Sequence, residues 1–434
     1  MVEAIERPEG WGLARRLGFR FVFCYFALYF YEYVLGLLPW SAPAMWNMRL
    51  RHGFVPWVGE HVLHLPEKIT VFPAGSGDTT YNYVELLCFV GLALAATLVW
   101  SLLDRRRRAH ARLHAGLRIC LRYVIGVTLI GYGMAKVIQT QFPFPGSFRL
   151  EQRYGDSSPM GLLWTFMGFS YGYNLFCGLA ETIGGTLLFY RRTTTLGATW
   201  LVGVMANVVA LNFFFDVPVK LYSSHLLLAS AFLALPDAGR LWNVLVAKRA
   251  TEPAPVSRLP WRWAEIARPV LASAYLGWIL FQHVQQGREL QRMIGSDVPA
   301  SPLHGSFEVV GFSRENEEIP SDAPGCWKQV RIQPGGYFLV TCAGGMQRTY
   351  RYETAATGAT MTLRPAALPT GFGAPPAPDP GGPGFELELV WNDPEHLDVA
   401  GELEGELIVA QMKKRTFLLE TRGYHWINEQ PFNR

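Results

Sequence analysis

Long apolar runs joined by short polar connections fill residues 17–282, and from residue 285 the pattern changes to short, partly alternating runs. A helix that crosses a bilayer needs about 20 predominantly apolar residues. Seven segments reach or approach that length: 17–40, 82–103, 117–139, 172–190, 196–215, 219–236 and 264–283. The sixth is the shortest and is read as tilted or half-sunk. The run "GLLWTFMGFSY", 161–171, is too short to span. Ser158 and Pro159 before it have the form of an N-cap and a first-turn proline, so it is read as an interfacial or re-entrant helix on the outer side. The first span lacks a small-residue cleavage pattern and is expected to stay as an anchor.

The later part reads as β structure. "SFEVVGF", "KQVRI", "YFLVTC", "QRTYRYE", "ATMTLR", "FELELVW", "HLDVAGEL" and "ELIVAQM" are short runs separated by turn residues. A Pro/Gly-rich stretch, 369–384, interrupts them. The expected fold is therefore an all-α membrane bundle of about seven spans over residues 1–284. An antiparallel β domain, a sandwich or a small barrel, follows over 285–434.

Composition sharpens this picture. Of 434 residues 50% are hydrophobic and only 17% are charged, against about 25% charged in soluble domains. The net charge of +4 matters less than its placement. Arg15, Arg16 and Arg20 precede the first span, and "DRRRRAHARLHAGLR", 104–118, separates the second from the third. Arg191 and Arg192 follow the fourth; Arg240, Lys248, Arg249, Arg258 and Arg262 lie between the sixth and seventh. Every second connection is basic, the positive-inside pattern of a membrane protein with a cytoplasmic N-terminus. The arginine run between spans is thus a topology signal rather than a nucleic-acid site. Seven crossings then export the C-terminal domain.

Cysteine usage adds one expectation. Cys24, Cys88, Cys120 and Cys177 lie in spans, where a thiol is a small apolar residue. Cys326 and Cys342 flank two strand-like runs around a Pro-Gly-Gly turn. With the hairpin loop at Gln333–Gly335, paired residue numbers sum to 668, and the two cysteines face each other. A disulfide is expected there, in the compartment where it would persist.

Candidate chemistry concentrates where polar residues interrupt the greasy segments. "NFFFDVPVKLYSSHLL", 212–227, places Asn212, Asp216, Lys220 and His225 around an outer turn. Glu85 starts the second span. Lys136 ends the third, on one stripe with Tyr132 and Thr128. Glu32 shares the outer half of the first span with Tyr25 and Tyr29, and Glu181 lies deeper in the fourth. Charges in lipid are costly and are usually paired or set in polar cavities. These residues are read as one outward-facing polar pocket: Lys136, Glu181 and His225 for chemistry, with Glu32, Glu85, Asn212, Asp216 and Lys220 as substrate contacts. No metal site is expected. His61 and His64 share a helical face in "EHVLH" without the metalloprotease order, and "AGSGDTTYNYVE", 74–85, lacks the phosphate-loop lysine and reads as an outer loop in which Asp78 or Thr79 caps the second span.

"LRYVIGVTLIGYGMAKVI", from 117, followed by "GLAETIGGTLLFYRRTTTLGATWLVGVMANVVAL", resembles the DoxX-like membrane family. In that family one helix ends in Gly-x-x-Lys and the next carries Glu before paired glycines, here Gly133, Lys136, Glu181, Gly184 and Gly185. The resemblance covers about residues 117–236, and the ending "RGYHWINEQPFNR" resembles larger bacterial relatives with an added exported domain. DoxX-like proteins are usually four-helix bundles; here two leading spans, a seventh span and the β domain are added. The resemblance implies membrane redox chemistry, with a quinone as the cofactor or substrate class. A more distant similarity to the vitamin K-dependent carboxylase membrane fold implies a reactive lysine, for which Lys136 is the similar position, and modification of an exported substrate.

Two functions from different classes follow. One is a membrane enzyme taking a quinone or lipid-like substrate from the outer leaflet, with Lys136 as a desolvated base or electrostatic stabiliser and Glu181 and His225 as proton partners. The other is a non-enzymatic binding or assembly factor whose exported domain grips another exported protein.

Overall fold

Apolar periodicity and capping chemistry set the helices of the first half. The computed structural model describes residues 10–35, 42–71, 77–107, 109–252, 262–293, 301–355, 357–367 and 383–423. The helices are α1 (Leu13–Leu35), α2 (Ala42–His61), α3 (Thr80–Leu103), α4 (Ala111–Val137), α5 (Ser147–Glu151), α6 (Pro159–Phe169), α7 (Tyr171–Phe189), α8 (Thr194–Phe214), α9 (Lys220–Ala234), α10 (Ala238–Leu245), α11 (Arg262–Met293) and α12 (Leu418–Thr421). The chain divides into two units: Met1–Val137, Ser158–Leu163 and Gly172–His283 form the first, and Ile138–Ser157, Trp164–Tyr171 and Val284–Arg434 the second.

Among the described residues four helices are long and apolar enough to cross a membrane: Thr80–Leu103, Ala111–Val137, Thr194–Phe214 and Trp263–Arg292. Of the seven expected from the apolar runs, four meet this criterion. The remaining three expected spans form helices that fall short, each for a visible reason. α1 carries Arg15, Arg16, Arg20 and Glu32, and residues 36–40 of its expected span lie outside the described residues. α7 mixes Asn174 and Glu181 with tyrosines and glycines. α9 has 15 residues, about 22 Å at 1.5 Å per residue, less than the roughly 30 Å of a hydrocarbon core. α3 has the opposite character: Leu87, Leu92, Leu94, Leu98 and Val99 are all exposed on it. A helix apolar on its exposed face suits lipid rather than water.

The first unit packs around Phe19, Phe26 and Phe30 of α1, Leu121, Ile125 and Leu129 of α4, Leu188 of α7, Leu201 and Met205 of α8, and Leu226, Ala229 and Leu233 of α9. Its polar residues separate into two ends. At one, Arg20 donates to the Asp104 carbonyl at 2.8 Å and to His110 Nε2 at 3.1 Å, and Arg16 reaches the Arg107 carbonyl at 3.4 Å. The same end holds the Arg118 bond to the Leu233 carbonyl at 3.3 Å and the Arg240–Asp237 pair at 2.5 Å. The other end holds Glu32, Arg51, Glu85, Asp78 and Lys220. The helix expected near 161–171 forms as α6, and Gly161 N donates to the Ser158 hydroxyl at 3.0 Å, the expected cap. α2 was not expected: it has weak apolar periodicity and carries Pro56 inside it.

The second unit contains β1 (Gly305–Arg314), β2 (Glu317–Glu318), β3 (Trp327–Gln333), β4 (Tyr337–Cys342), β5 (Gln347–Thr354), β6 (Thr360–Pro365), β7 (Phe385–Trp391), β8 (His396–Leu403) and β9 (Glu406–Lys414). All pair antiparallel in the order β2-β1-β3-β4-β5-β6-β7-β8-β9, and β1 also pairs with β9. The sheet therefore closes into an antiparallel barrel, choosing between the two expected architectures. Phe307, Val330, Ile332, Phe338, Tyr350, Met361, Leu363, Leu387, Leu397, Val399, Ala410 and Met412 are all at most 1% exposed and form the core. An eight-stranded barrel is just wide enough for side chains to fill, and here they do. The Pro/Gly-rich stretch falls almost wholly outside the described residues, and the C-terminal "RGYHWINEQPFNR" lies beyond them from residue 424.

The β3–β4 hairpin corrects the cysteine expectation. Gln333 pairs with Tyr337, Ile332 with Phe338 and Val330 with Val340, so paired numbers sum to 670 rather than 668. The loop is Pro334–Gly336, not Gln333–Gly335. A register irregularity between Trp327 and Gln329 then sets Trp327, not Cys326, opposite Cys342. A one-extra-residue bulge shifts every position beyond it. Cys326 and Cys342 are both buried, free thiols, and burial raises the pKa of each.

Candidate functional site

Glycine placement builds the centre of the first unit. On α4 Gly126 and Gly133 stand seven residues apart, and on α7 so do Gly178 and Gly185. A Cβ on Gly133 would lie 2.6 Å from the Gly178 carbonyl oxygen and 2.2 Å from Thr182 Oγ1; one on Gly185 would lie 2.9 Å from the Gly126 carbonyl oxygen. The two helices run antiparallel with backbones in near contact, a geometry that only small residues permit. Gly184 and Gly197 continue the seam, since a Cβ on Gly184 would meet Leu201 of α8 at 2.4 Å.

This close approach brings Lys136 of α4 to Glu181 of α7. Lys136 Nζ donates to Glu181 Oε2 at 2.7 Å, with side chains 9% and 3% exposed. Asn174, fully buried, lies on the same α7 face, two turns before Glu181. The ammonium sits 5.7 Å from the Tyr132 ring centre, a cation–π contact one turn below on the expected stripe. Taking two charges out of water costs several kcal/mol per ion, which the pair recovers only through such contacts.

From this pair a belt of hydroxyls crosses the unit. Tyr132 packs beside Tyr222 at 6.4 Å, Thr128 Oγ1 lies 3.4 Å from the Tyr222 hydroxyl, and Tyr33 hydrogen-bonds Tyr222. His225 stacks flat on Tyr29 at 3.7 Å, its Nε2 lies 2.5 Å from the Tyr25 hydroxyl, and its Nδ1 lies 2.6 Å from the Leu221 carbonyl. A carbonyl only accepts, so Nδ1 carries the proton, and in the neutral ring Nε2 accepts from Tyr25.

The remaining expected residues divide among other structures. Glu32 and Glu85 both pair with Arg51 of α2, the latter at 2.5 Å. Asp216 pairs with Lys220 at 2.8 Å on the α8–α9 turn, its carboxylate 81% exposed. Asn212 donates to the Ser223 hydroxyl at 2.9 Å and fastens α8 to α9. Asp78 accepts from Lys220 N at 2.6 Å and from Leu221 N at 2.9 Å, so it caps α9, while Thr79 and Asn82 form a capping box on α3. The one pocket drawn from the sequence is thus several clusters: Lys136 with Glu181, His225 with Tyr25 and Tyr29, Glu32 and Glu85 with Arg51, and Asp216 with Lys220. α2 ends at His61, and His64 lies beyond it with φ at +50°, so the two histidines do not share a helical face. Among the described residues no three His, Cys, Asp or Glu side chains gather as metal ligands.

Two groups escaped sequence reasoning. Arg51 lay in a segment without a clear helical pattern. In the second unit Arg331 Nε donates to Glu151 Oε2 at 2.5 Å, Ser306 bonds the same carboxylate, and Arg331 also reaches Gln329 at 3.1 Å. Glu151 and Arg331 stand 180 positions apart, and no local pattern announces such a pairing.

No protein-family model matches this chain, and no solved structure matches it. Among curated proteins, the uncharacterized protein YwoB of Bacillus subtilis (strain 168) is 27% identical over 143 residues, an alignment that covers 33% of this chain and 91% of YwoB. A third of this chain is thus similar to nearly the whole of a much smaller protein.

Proposed function

We propose that the first unit lies in a bacterial cytoplasmic membrane and binds a quinone or lipid-like amphiphile beside Lys136 and Glu181, as in the DoxX-like family that the sequence resembles. The observation that carries this reading is the buried Lys136–Glu181 pair at 2.7 Å, with the Tyr132 ring centre 5.7 Å from the ammonium and the Tyr222 ring beside Tyr132. Lys136 offers a desolvated cation to a carbonyl or headgroup oxygen of the amphiphile, and Glu181 orients it.

In this reading α1, α7 and α9 also cross the bilayer, giving seven passes. Support comes from the two polar ends: Arg16 and Arg20 of α1 bond the segment after α3, and Arg118 near the start of α4 bonds the end of α9. Connections at one end mean an even number of passes between them. The arginine-rich end faces the cytoplasm by the positive-inside rule, and the barrel lies outside. Its core is filled by its own side chains, so only its outer surface is offered to an exported protein partner.

Mass spectrometry of organic extracts from the protein purified in mild detergent tests the reading. Wild type is expected to retain a quinone or a defined lipid near stoichiometrically, and Lys136→Met to lose it. Extracts from both proteins that match bulk membrane lipid would overturn the assignment.

A further inference from the structure

At the arginine-rich end of the first unit lies an open groove between α4 and α11, lined by Tyr123, Trp263, Ala267, Leu271, Ala272 and Tyr275, with Arg268 on its wall. The groove is apolar along its length. Beside it, Arg122 is only 8% exposed. Its Nε donates to the Leu188 carbonyl at 2.9 Å, and among the described residues it forms no ion pair. A buried arginine without a counter-ion is a costly arrangement in a helix bundle.

The neighbouring charges do not relieve it. Arg118, Arg191 and Arg268 all lie within electrostatic reach of Arg122. Glu265 is shared between two of them, 4.0 Å from Arg191 and 3.5 Å from Arg268. Asp237, which is near Arg118, is already held by Arg240 at 2.5 Å. Among the described residues, then, Arg191 and Arg268 share Glu265, Arg118 has within reach only an aspartate that Arg240 already holds, and Arg122 beside the groove has no ion pair.

We infer that this groove is a binding site for an anionic phospholipid, with the phosphate among Arg122, Arg268 and Arg191 and one acyl chain along Leu271, Ala272 and Tyr275. The charge excess selects an anion, and the apolar lining selects one that carries a hydrocarbon tail. Basic pockets between membrane helices on the cytoplasmic side suit such headgroups. The inference rests on the membrane reading but not on the amphiphile beside Lys136, which lies 14 residues along α4 from Arg122, about 21 Å away at helical rise.

Native mass spectrometry of the full chain in dodecyl maltoside, titrated with phosphatidylglycerol or with phosphatidylcholine, provides the test. Wild type is expected to hold phosphatidylglycerol at least about fivefold more tightly than phosphatidylcholine, the effect of one or more arginines near an anionic headgroup. Arg268→Gln, at a partly exposed position, should remove most of that preference without loss of folding. Leu271→Trp, which fills the channel and keeps every charge, should weaken both lipids. Arg122→Met should also abolish the preference if it folds; the other two variants decide the matter if it does not. Equal affinity for both lipids in wild type would overturn the proposal. So would a thermal shift by inorganic phosphate as large as that by phosphatidylglycerol, since the site would then take a free anion. A preference unaltered in Arg268→Gln and in Leu271→Trp would place the lipid elsewhere.

Discussion

Two lysine–carboxylate pairs of the helical unit have nearly the same length and opposite surroundings. Lys136–Glu181 spans 2.7 Å between side chains 9% and 3% exposed; Lys220–Asp216 spans 2.8 Å between side chains 19% and 81% exposed, so its carboxylate stands in water. Distance alone would rank them equal. Coulomb energy scales inversely with the local dielectric, so the buried pair interacts far more strongly, and each member left alone there is far more costly. The exposed pair is screened by water and salt and gains little. The same bond is a structural commitment in one place and nearly neutral in the other.

The sharpest way to break the comparison is to remove one buried charge. Lys136→Met should lower stability by about 3–5 kcal/mol, the cost of an uncompensated buried carboxylate. Lys136→Met with Glu181→Gln should recover part of that loss, as read by thermal unfolding in detergent. Additive losses in the double variant would mean that the two groups do not depend on one another.

A smaller effect is expected from the seam that holds the pair together. Gly133→Ala would drive a methyl into the Gly178 carbonyl and into Thr182 backbone nitrogen at 2.8 Å, an overpacking worth about 1–3 kcal/mol. Gly203→Ala on α8 meets nothing within 4 Å, and should be neutral or should stabilise by up to about 1 kcal/mol through helix propensity. Equal responses at the two sites, measured by denaturation midpoint, would remove the seam from the explanation.

The smallest change belongs to the exposed pair. Asp216→Asn should alter stability by no more than about 0.5 kcal/mol, with that difference shrinking further as salt is raised. A loss approaching that of Lys136→Met would show that the turn is as buried in its membrane setting as the centre of the bundle.

How much of this was legible in the sequence depends on the range of the interaction. The apolar runs located the helices that became α3, α4, α8 and α11, because burial and lipid exposure both act over whole turns. The Gly-x-x-Lys and Glu-x-x-Gly-Gly spacings marked Lys136 and Glu181, and a glycine seam leaves its spacing in the chain. The eight short runs corresponded to eight strands. By contrast, Glu32 and Glu85 were assigned to the pocket because Arg51, their partner, lay in a helix that its own sequence barely signals. Of the two caps offered for α3, Thr79 is the one it uses, while Asp78 caps α9, 142 positions away, which no local pattern announces. The hairpin failed by two in register sum because turn position and a bulge are set by backbone hydrogen bonding, which side-chain alternation does not report.

Closure of the barrel also has a consequence in time. Its seam joins β1 to β9, with Val309 beside Met412, strands about a hundred residues apart. Until β9 has emerged from the ribosome, the growing sheet carries two unpaired edges, each a template for mispairing with a neighbouring chain. Contacts of such sequence separation form late and slowly. Biogenesis of the domain is therefore close to all-or-none: a chain halted after β8 would present a sticky open sheet to quality-control proteases, and the nine residues of Glu406–Lys414 convert it to a surface without edges.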